Sequence, residues 1–216
     1  MHKLTRQVAI LAGGLAMIIA GDAQAGRPGE SYFGLSVGNV FYDYSASKCS
    51  QDFWGDPCHV GDSVSALKGF FGYNITRNVA TEFGIYGMYP LQGTIVDPYL
   101  GAVTWKQSPF LVNGDVVGNI DIAKGVTLGG KVGIYYASVN TTDSFPDDQQ
   151  EHQSNVGLDF GVRMNVAVTR HTDIRLEYEA FSAVGKTNTS DFASYDVAPS
   201  VESALSMLSV GFVNNF

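Results

Sequence analysis

Charged side chains recur in this sequence where their neighbours confine what chemistry they can do. Lys68, Glu82, Asp115, Lys131, Asp159, Arg163, Arg175, Glu177 and Glu179 all stand in stretches whose alternate residues are apolar. Asp173 belongs to the same pattern. In an extended chain, successive side chains point to opposite faces, so these charges share one face of their strands and the apolar residues share the other. A charge on an enclosed face must find a partner, because an isolated buried charge costs several kcal/mol. The chemistry expected of this set is therefore ion pairing. Nothing in its spacing assembles a nucleophile with a base, and no catalytic residue, cofactor or metal site is expected from it.

The elements that must carry these residues are strands. Period-2 alternation is clearest at 155–168, where Val156, Leu158, Phe160, Val162, Met164, Val166 and Val168 share one face. The same two-faced pattern recurs at about 31–44, 63–73, 79–89, 109–121, 126–139, 172–184 and 203–216, giving eight strands. Val117 is an exception, an apolar residue on the polar face of 109–121. Short turns are expected at 74–78, 122–125 and 169–171. Long segments are expected at 45–62, 90–108, 140–153 and 185–202.

Strict alternation of short and long connections has no rationale in a soluble sandwich. It is the layout of a barrel crossing an outer membrane, with short turns on the periplasmic side and long loops outside. The polar face carries small residues and charges suited to an interior, while the apolar face would meet lipid. Closure pairs every backbone group that would otherwise be stranded in hydrocarbon. Tyr and Phe near strand ends, among them Phe33, Tyr42, Tyr73, Tyr89, Phe110, Tyr136 and Phe212, would form the interfacial girdles. The expected fold is all-β, an eight-stranded antiparallel up-and-down transmembrane barrel.

Composition narrows the function classes. The chain has 216 residues, 25 of them glycine, and only 16% are charged, which argues against a disordered chain or a helical bundle. A net charge of −8 with 13 Lys and Arg argues against nucleic acid as a partner. Residues 1–25 read as a cleaved secretory signal: Lys3 and Arg6 precede the apolar run Val8–Ala20, and Ala23-Gln24-Ala25 suits cleavage. Residues 26–216 would then be the barrel domain. In an exported protein, Cys49 and Cys58 read as a disulfide stiffening the first long loop. A metal set of Cys49, Cys58 and His59 would lack a clear fourth ligand.

Particular residues resemble the OmpA-like transmembrane barrels. GYNITRNVATEFGIYG at 72–87 is similar to that family's second hairpin, with an inward glutamate at Glu82. DIRLEYEAFSAVG at 173–185 is similar to its penultimate strand, with Arg175, Glu177 and Tyr178 as the core. LSVGFVNNF resembles its closing strand, ending in a terminal aromatic, Phe216, that would serve as the assembly signal. The resemblance implies an internal ion pair acting as a gate, with Glu82 and Arg175 in the matching places. Those two lie on opposite strands at similar depth, so they are expected to meet across the lumen, as part of a plug or of a gated path for small ions. Since the chain ends at Phe216, the peptidoglycan-binding domain of many relatives is expected to be absent.

A shorter likeness points elsewhere. His152-Gln153-Ser154-Asn155 resembles the His-x-Ser-Asn segment of the outer-membrane lipid A deacylases, where a histidine takes the serine proton and an acid orients the histidine. Here no acid stands between Asp159 and Asp173, and Val166 lies near the expected place. The segment is read as the polar rim of a strand, and no enzyme activity is expected. The functional expectation is a structural or surface-interaction barrel of a Gram-negative outer membrane, with a small porin-like channel as the alternative. Expected partners are outer-membrane lipid and lipopolysaccharide, the barrel assembly machinery, and a surface ligand reached through acidic loops; the protein itself is expected to be a monomer.

Overall fold

A computed structural model describes residues 28–42, 58–60, 63–97, 101–143, 150–184 and 203–216. Ten strands form: β1 Ser31–Tyr42, β2 Cys58–Val60, β3 Ser63–Asn74, β4 Val79–Met88, β5 Leu91–Asp97, β6 Gly101–Ala123, β7 Val126–Asp143, β8 Gln150–Ala167, β9 Thr172–Val184 and β10 Ser203–Asn215. Eight of them close a ring, β1–β3–β4–β6–β7–β8–β9–β10 and back to β1, with every pairing antiparallel. The closing seam pairs β1 with β10 from Tyr32↔Asn215 to Tyr42↔Leu205. β5 continues β4 along the same edge of β6, and β2 pairs with β5, so the two raise this part of the wall without adding a strand to the ring.

The alternation read from the residues becomes the two sides of this wall. β4 alternates exposed and buried at every position. Leu35, Ile134, Val156 and Phe212 point outward and are at least 60% exposed, while Lys68, Asp159 and Glu179 are fully enclosed. The apolar surface lies outside and the charge inside, the reverse of a soluble barrel.

At one end the strands are joined by tight turns. Gly125 takes a left-handed conformation (φ 76°) between β6 and β7, where any other residue would be strained. Thr76 Oγ accepts hydrogen bonds from the amides of Asn78 (3.2 Å) and Val79 (3.0 Å), holding the β3–β4 turn.

At the opposite end the strands run further than the sequence pattern suggests. Segments 90–108 and 140–153 read as loops, yet β5, the start of β6, the end of β7 and the start of β8 occupy most of them. Tyr89-Pro90 hides the continuity. The register is Gly87↔Phe110 in β4 but Leu91↔Gln107 in β5, so one extra residue bulges out there. The bulge reverses the alternation: β4 buries even-numbered residues, whereas β5 buries Leu91 and Gly93. Pro90 has no amide to give the ladder, which suits a bulge.

Inward aromatics lie over inward glycines on neighbouring strands. Tyr32 faces Gly72 in register, and Tyr135 faces Gly157. A Cβ on either glycine would fall inside the opposing ring. Gly72→Val should therefore cost about 1–3 kcal/mol through overpacking. Gly87→Ala, at a position with open space around it, should stay within about 0.5 kcal/mol of wild type. Urea unfolding midpoints of the two variants in the same vesicles check this; equal midpoints would remove the ring–glycine contact as a determinant.

Candidate functional site: the barrel interior

The lumen is built in three layers. Nearest the tight turns, Tyr32, Phe70, Ala80, Val117 and Val213 form a small apolar cluster. Nearest the long connections, a larger cluster includes Val40, Tyr86, Met88, Leu111, Tyr135, Val139, Phe181, Leu205 and Met207. Between them lie the charges. Each follows from strand phase: a residue two positions from a buried one points the same way, so Glu177 and Glu179 follow Arg175 along β9, and Arg163 follows Asp159 by four along β8.

Glu82 on β4 is the hub. Its Oε2 accepts from Arg163 Nη1 (2.6 Å), Arg175 Nη1 (2.7 Å) and the Tyr32 hydroxyl (3.0 Å). Its Oε1 lies 3.5 Å from Lys68 Nζ. Lys68 also reaches Glu177 at 2.7 Å and Glu179 at 3.1 Å. Lys131 pairs with Asp115 at 2.9 Å, with Glu177 at 3.3 Å, and with Glu179 in close contact. Asn113 Nδ2 bridges Asp115 (2.9 Å) and Asp159 (2.8 Å), holding two carboxyls of adjacent depth. Arg175 Nε donates to Asn165 Oδ1 at 3.0 Å, and the guanidinium lies 4.2 Å from the Phe70 ring centroid.

All nine charged residues named from the sequence are thus buried in one connected interior: Lys68, Glu82, Asp115, Lys131, Asp159, Arg163, Arg175, Glu177 and Glu179. Asp173 stands apart, half-buried near the turns, where it accepts from Asn215 Nδ2 at 3.1 Å. Phe216 is exposed beside the seam; its amide donates to the Ser31 carbonyl at 3.0 Å, and its ring lies 6.0 Å from that of Phe33.

Several participants escape sequence reading. Tyr32, Tyr86, Asn113, Asn119 and Asn165 complete the network, and their only signal is that each stands at an inward strand position. The apolar layers are a second departure, because the residue pattern points to an inner face of small residues and charges and not to large apolar side chains gathered at two levels. Val117, which interrupts the polar pattern of β6, is fully buried in the layer near the turns.

His152 and Ser154 lie on the outward face of β8, both exposed. His152 Nδ1 is 2.7 Å from Asn140 Oδ1. Among the described residues, no three His, Cys, Asp or Glu side chains gather to hold a metal ion. Residues 1–25 and Cys49 lie outside the described residues, and Cys58 is described only by its backbone in β2. The acidic residues of 45–57, 144–149 and 185–202 also lie outside them.

Comparison with known proteins agrees with this architecture. No curated protein matches the chain by sequence. Among solved structures, the outer membrane protein OprG from Pseudomonas aeruginosa is similar at 17% identity and TM-score 0.55, over 90% of this chain and 99% of that one. A major outer membrane protein from Thermus thermophilus is similar at 13% identity and TM-score 0.56, over 86% and 99%. Ail, the attachment invasion locus protein of Yersinia pestis, is similar at 14% identity and TM-score 0.51, over 88% and 99%. At these identities the likeness is one of fold. A family model for the outer membrane protein beta-barrel domain matches residues 9–200, most of the chain. With its closed eight-stranded ring, outward apolar belt and enclosed charges, the chain belongs to the outer membrane protein β-barrel domain family.

Proposed function

We propose that this protein is a non-conducting outer-membrane barrel with a structural or surface-interaction role and no enzymatic one. The observation that carries the reading is the interior. An eight-stranded barrel is just wide enough to be filled by side chains. Here a fully buried ionic network lies between two apolar layers, Tyr32–Phe70–Ala80–Val117–Val213 at one end and the cluster around Tyr86, Tyr135 and Phe181 at the other. An ion entering would have to cross both layers and displace paired charges.

The tight turns belong on the periplasmic side and the long connections outside. Phe216 at the end of β10 is the assembly signal read by the barrel assembly machinery. Residues 1–25 direct export, the Cys49–Cys58 bridge stiffens the first outer loop, and a surface ligand is reached through the acidic loops. The barrel works as a monomer.

Planar-bilayer recording separates this reading from a porin-like channel. Wild-type protein should show no channel events, whereas Arg175→Ala, which opens the middle of the network, should show small ones. Steady wild-type conductance would sink the plug and favour the channel.

A further inference from the structure

The charges of the enclosed network do not balance. Four are bases, Lys68, Lys131, Arg163 and Arg175, and five are acids, Glu82, Asp115, Asp159, Glu177 and Glu179. Every base is committed to an acid other than Asp159. The two arginines hold Glu82, Lys68 holds Glu82, Glu177 and Glu179, and Lys131 holds Asp115, Glu177 and Glu179. Asp159 is fully buried, and among the described residues it has no ion-pair partner. A bare carboxylate there would carry the full cost of an uncompensated buried charge.

Strand register sets a second acid beside it. Asp115 on β6 and Asp159 on β8 both stand opposite Gly133 on β7. Glycine leaves no side chain between them, and a Cβ added to Gly133 would fall against Oδ1 of both carboxyls. Asn113 Nδ2 ties the two Oδ2 atoms together, at 2.9 Å from Asp115 and 2.8 Å from Asp159. Both Oδ1 atoms are buried without a hydrogen-bond partner. Two acceptors that face one space need a single hydrogen between them. The ionisable groups facing the pair are Glu82 and Tyr86 from β4, Lys131 and Tyr135 from β7, and Glu179 from β9. None has that hydrogen to give. Tyr86 donates its hydroxyl to Glu179 at 2.6 Å, Tyr135 donates to the Ser182 carbonyl, and Lys131 reaches Asp115 on Oδ2.

We infer that Asp115 and Asp159 form a proton-binding site inside the barrel. At neutral pH Asp159 keeps a proton on Oδ1 and donates it to Asp115 Oδ1, while Asp115 stays ionised against Lys131. One proton satisfies both oxygens and brings the nine charges to zero. It is taken from water as the barrel closes and returned to water on unfolding. The site deepens the plug proposed above, because a network of zero net charge recruits no small cation to make up the difference.

Infrared difference spectroscopy of the full chain in phosphatidylcholine bilayers, against Asp159→Asn and Asp115→Asn, tests this. At pH 7 wild type should show the carbonyl stretch of a buried, un-ionised carboxyl. Either substitution leaves four acids facing four bases, so both variants should lack that stretch. Stability reports the same proton. Aspartate in the unfolded chain is ionised above about pH 5, so unfolding releases the proton. Between about pH 5 and 7 the wild-type unfolding constant in urea should therefore rise about ten-fold more per pH unit than that of Asp159→Asn. The proton's contribution is complete in acid and lost as pH rises. A wild type without the stretch, a stretch that persists in both variants, or equal pH slopes would each overturn the site. A missing stretch together with a midpoint that climbs with sodium or potassium would give the place to a metal cation instead. Neither readout depends on conductance, so the plug and the proton site fail separately.

Discussion

Glu82→Ala should be the most damaging single truncation inside this barrel. Glu82 Oε2 is held at 2.6 Å by Arg163 and at 2.7 Å by Arg175, and all three side chains are buried. Breaking a buried pair by removing one partner costs about 3–5 kcal/mol, because the other charge stays enclosed without its counter-ion. Here one carboxylate serves two guanidiniums, and their other hydrogen-bond partners, Asn165 for Arg175 and Asn119 and Tyr32 for Arg163, are uncharged. Unfolding midpoints in vesicles should fall accordingly. Combining Glu82→Ala with Arg175→Ala should cost less than the two single effects together, by about 0.5–3 kcal/mol for residues in direct contact. Strict additivity would mean the pair contributes no coupling. The ring of backbone hydrogen bonds is untouched by these changes, so a variant that stays folded should admit water and ions into the space left.

Val162→Arg should cost about 2–4 kcal/mol, the expected penalty for a basic side chain facing lipid near the bilayer midplane. Val162 is 58% exposed on the outward side of β8, at the middle of an apolar row from Val156 to Val168. Its chain neighbour Arg163 is buried and bonded to Glu82. The same side chain is therefore destabilising at one position and integral at the next, since adjacent strand residues face opposite media. Equilibrium unfolding in bilayers of matched thickness measures the difference. An unchanged midpoint for Val162→Arg would mean that this face does not meet hydrocarbon, and the membrane orientation of β8 would have to be revised.

Much of this molecule could be read before any fold was known, and for a local reason. Side-chain alternation is a property of the extended backbone itself, so the one-by-one pattern at 155–168 or 79–89 assigns each residue a side without knowledge of its neighbours. Strand number, antiparallel closure, the outward apolar belt and the inward placement of Lys68, Glu82, Lys131, Arg163 and Arg175 follow from that pattern and from connection lengths. The extended tops of β5 to β8 do not. Above the membrane both sides of the wall can be polar, so alternation fades while backbone pairing continues, and the Tyr89-Pro90 bulge resets the phase.

What tertiary structure alone decided is depth and partner choice. Two inward residues meet only if strand stagger brings them to one level, and stagger is a property of the closed ring. That geometry gives Glu82 two arginines, lets Asn113 bridge Asp115 and Asp159, and gathers Val117 with Tyr32 and Phe70 into an apolar cluster. Periodicity assigns a residue to a face, but it carries no information about height along the barrel axis, and height is what turns a set of inward charges into one network between two apolar clusters.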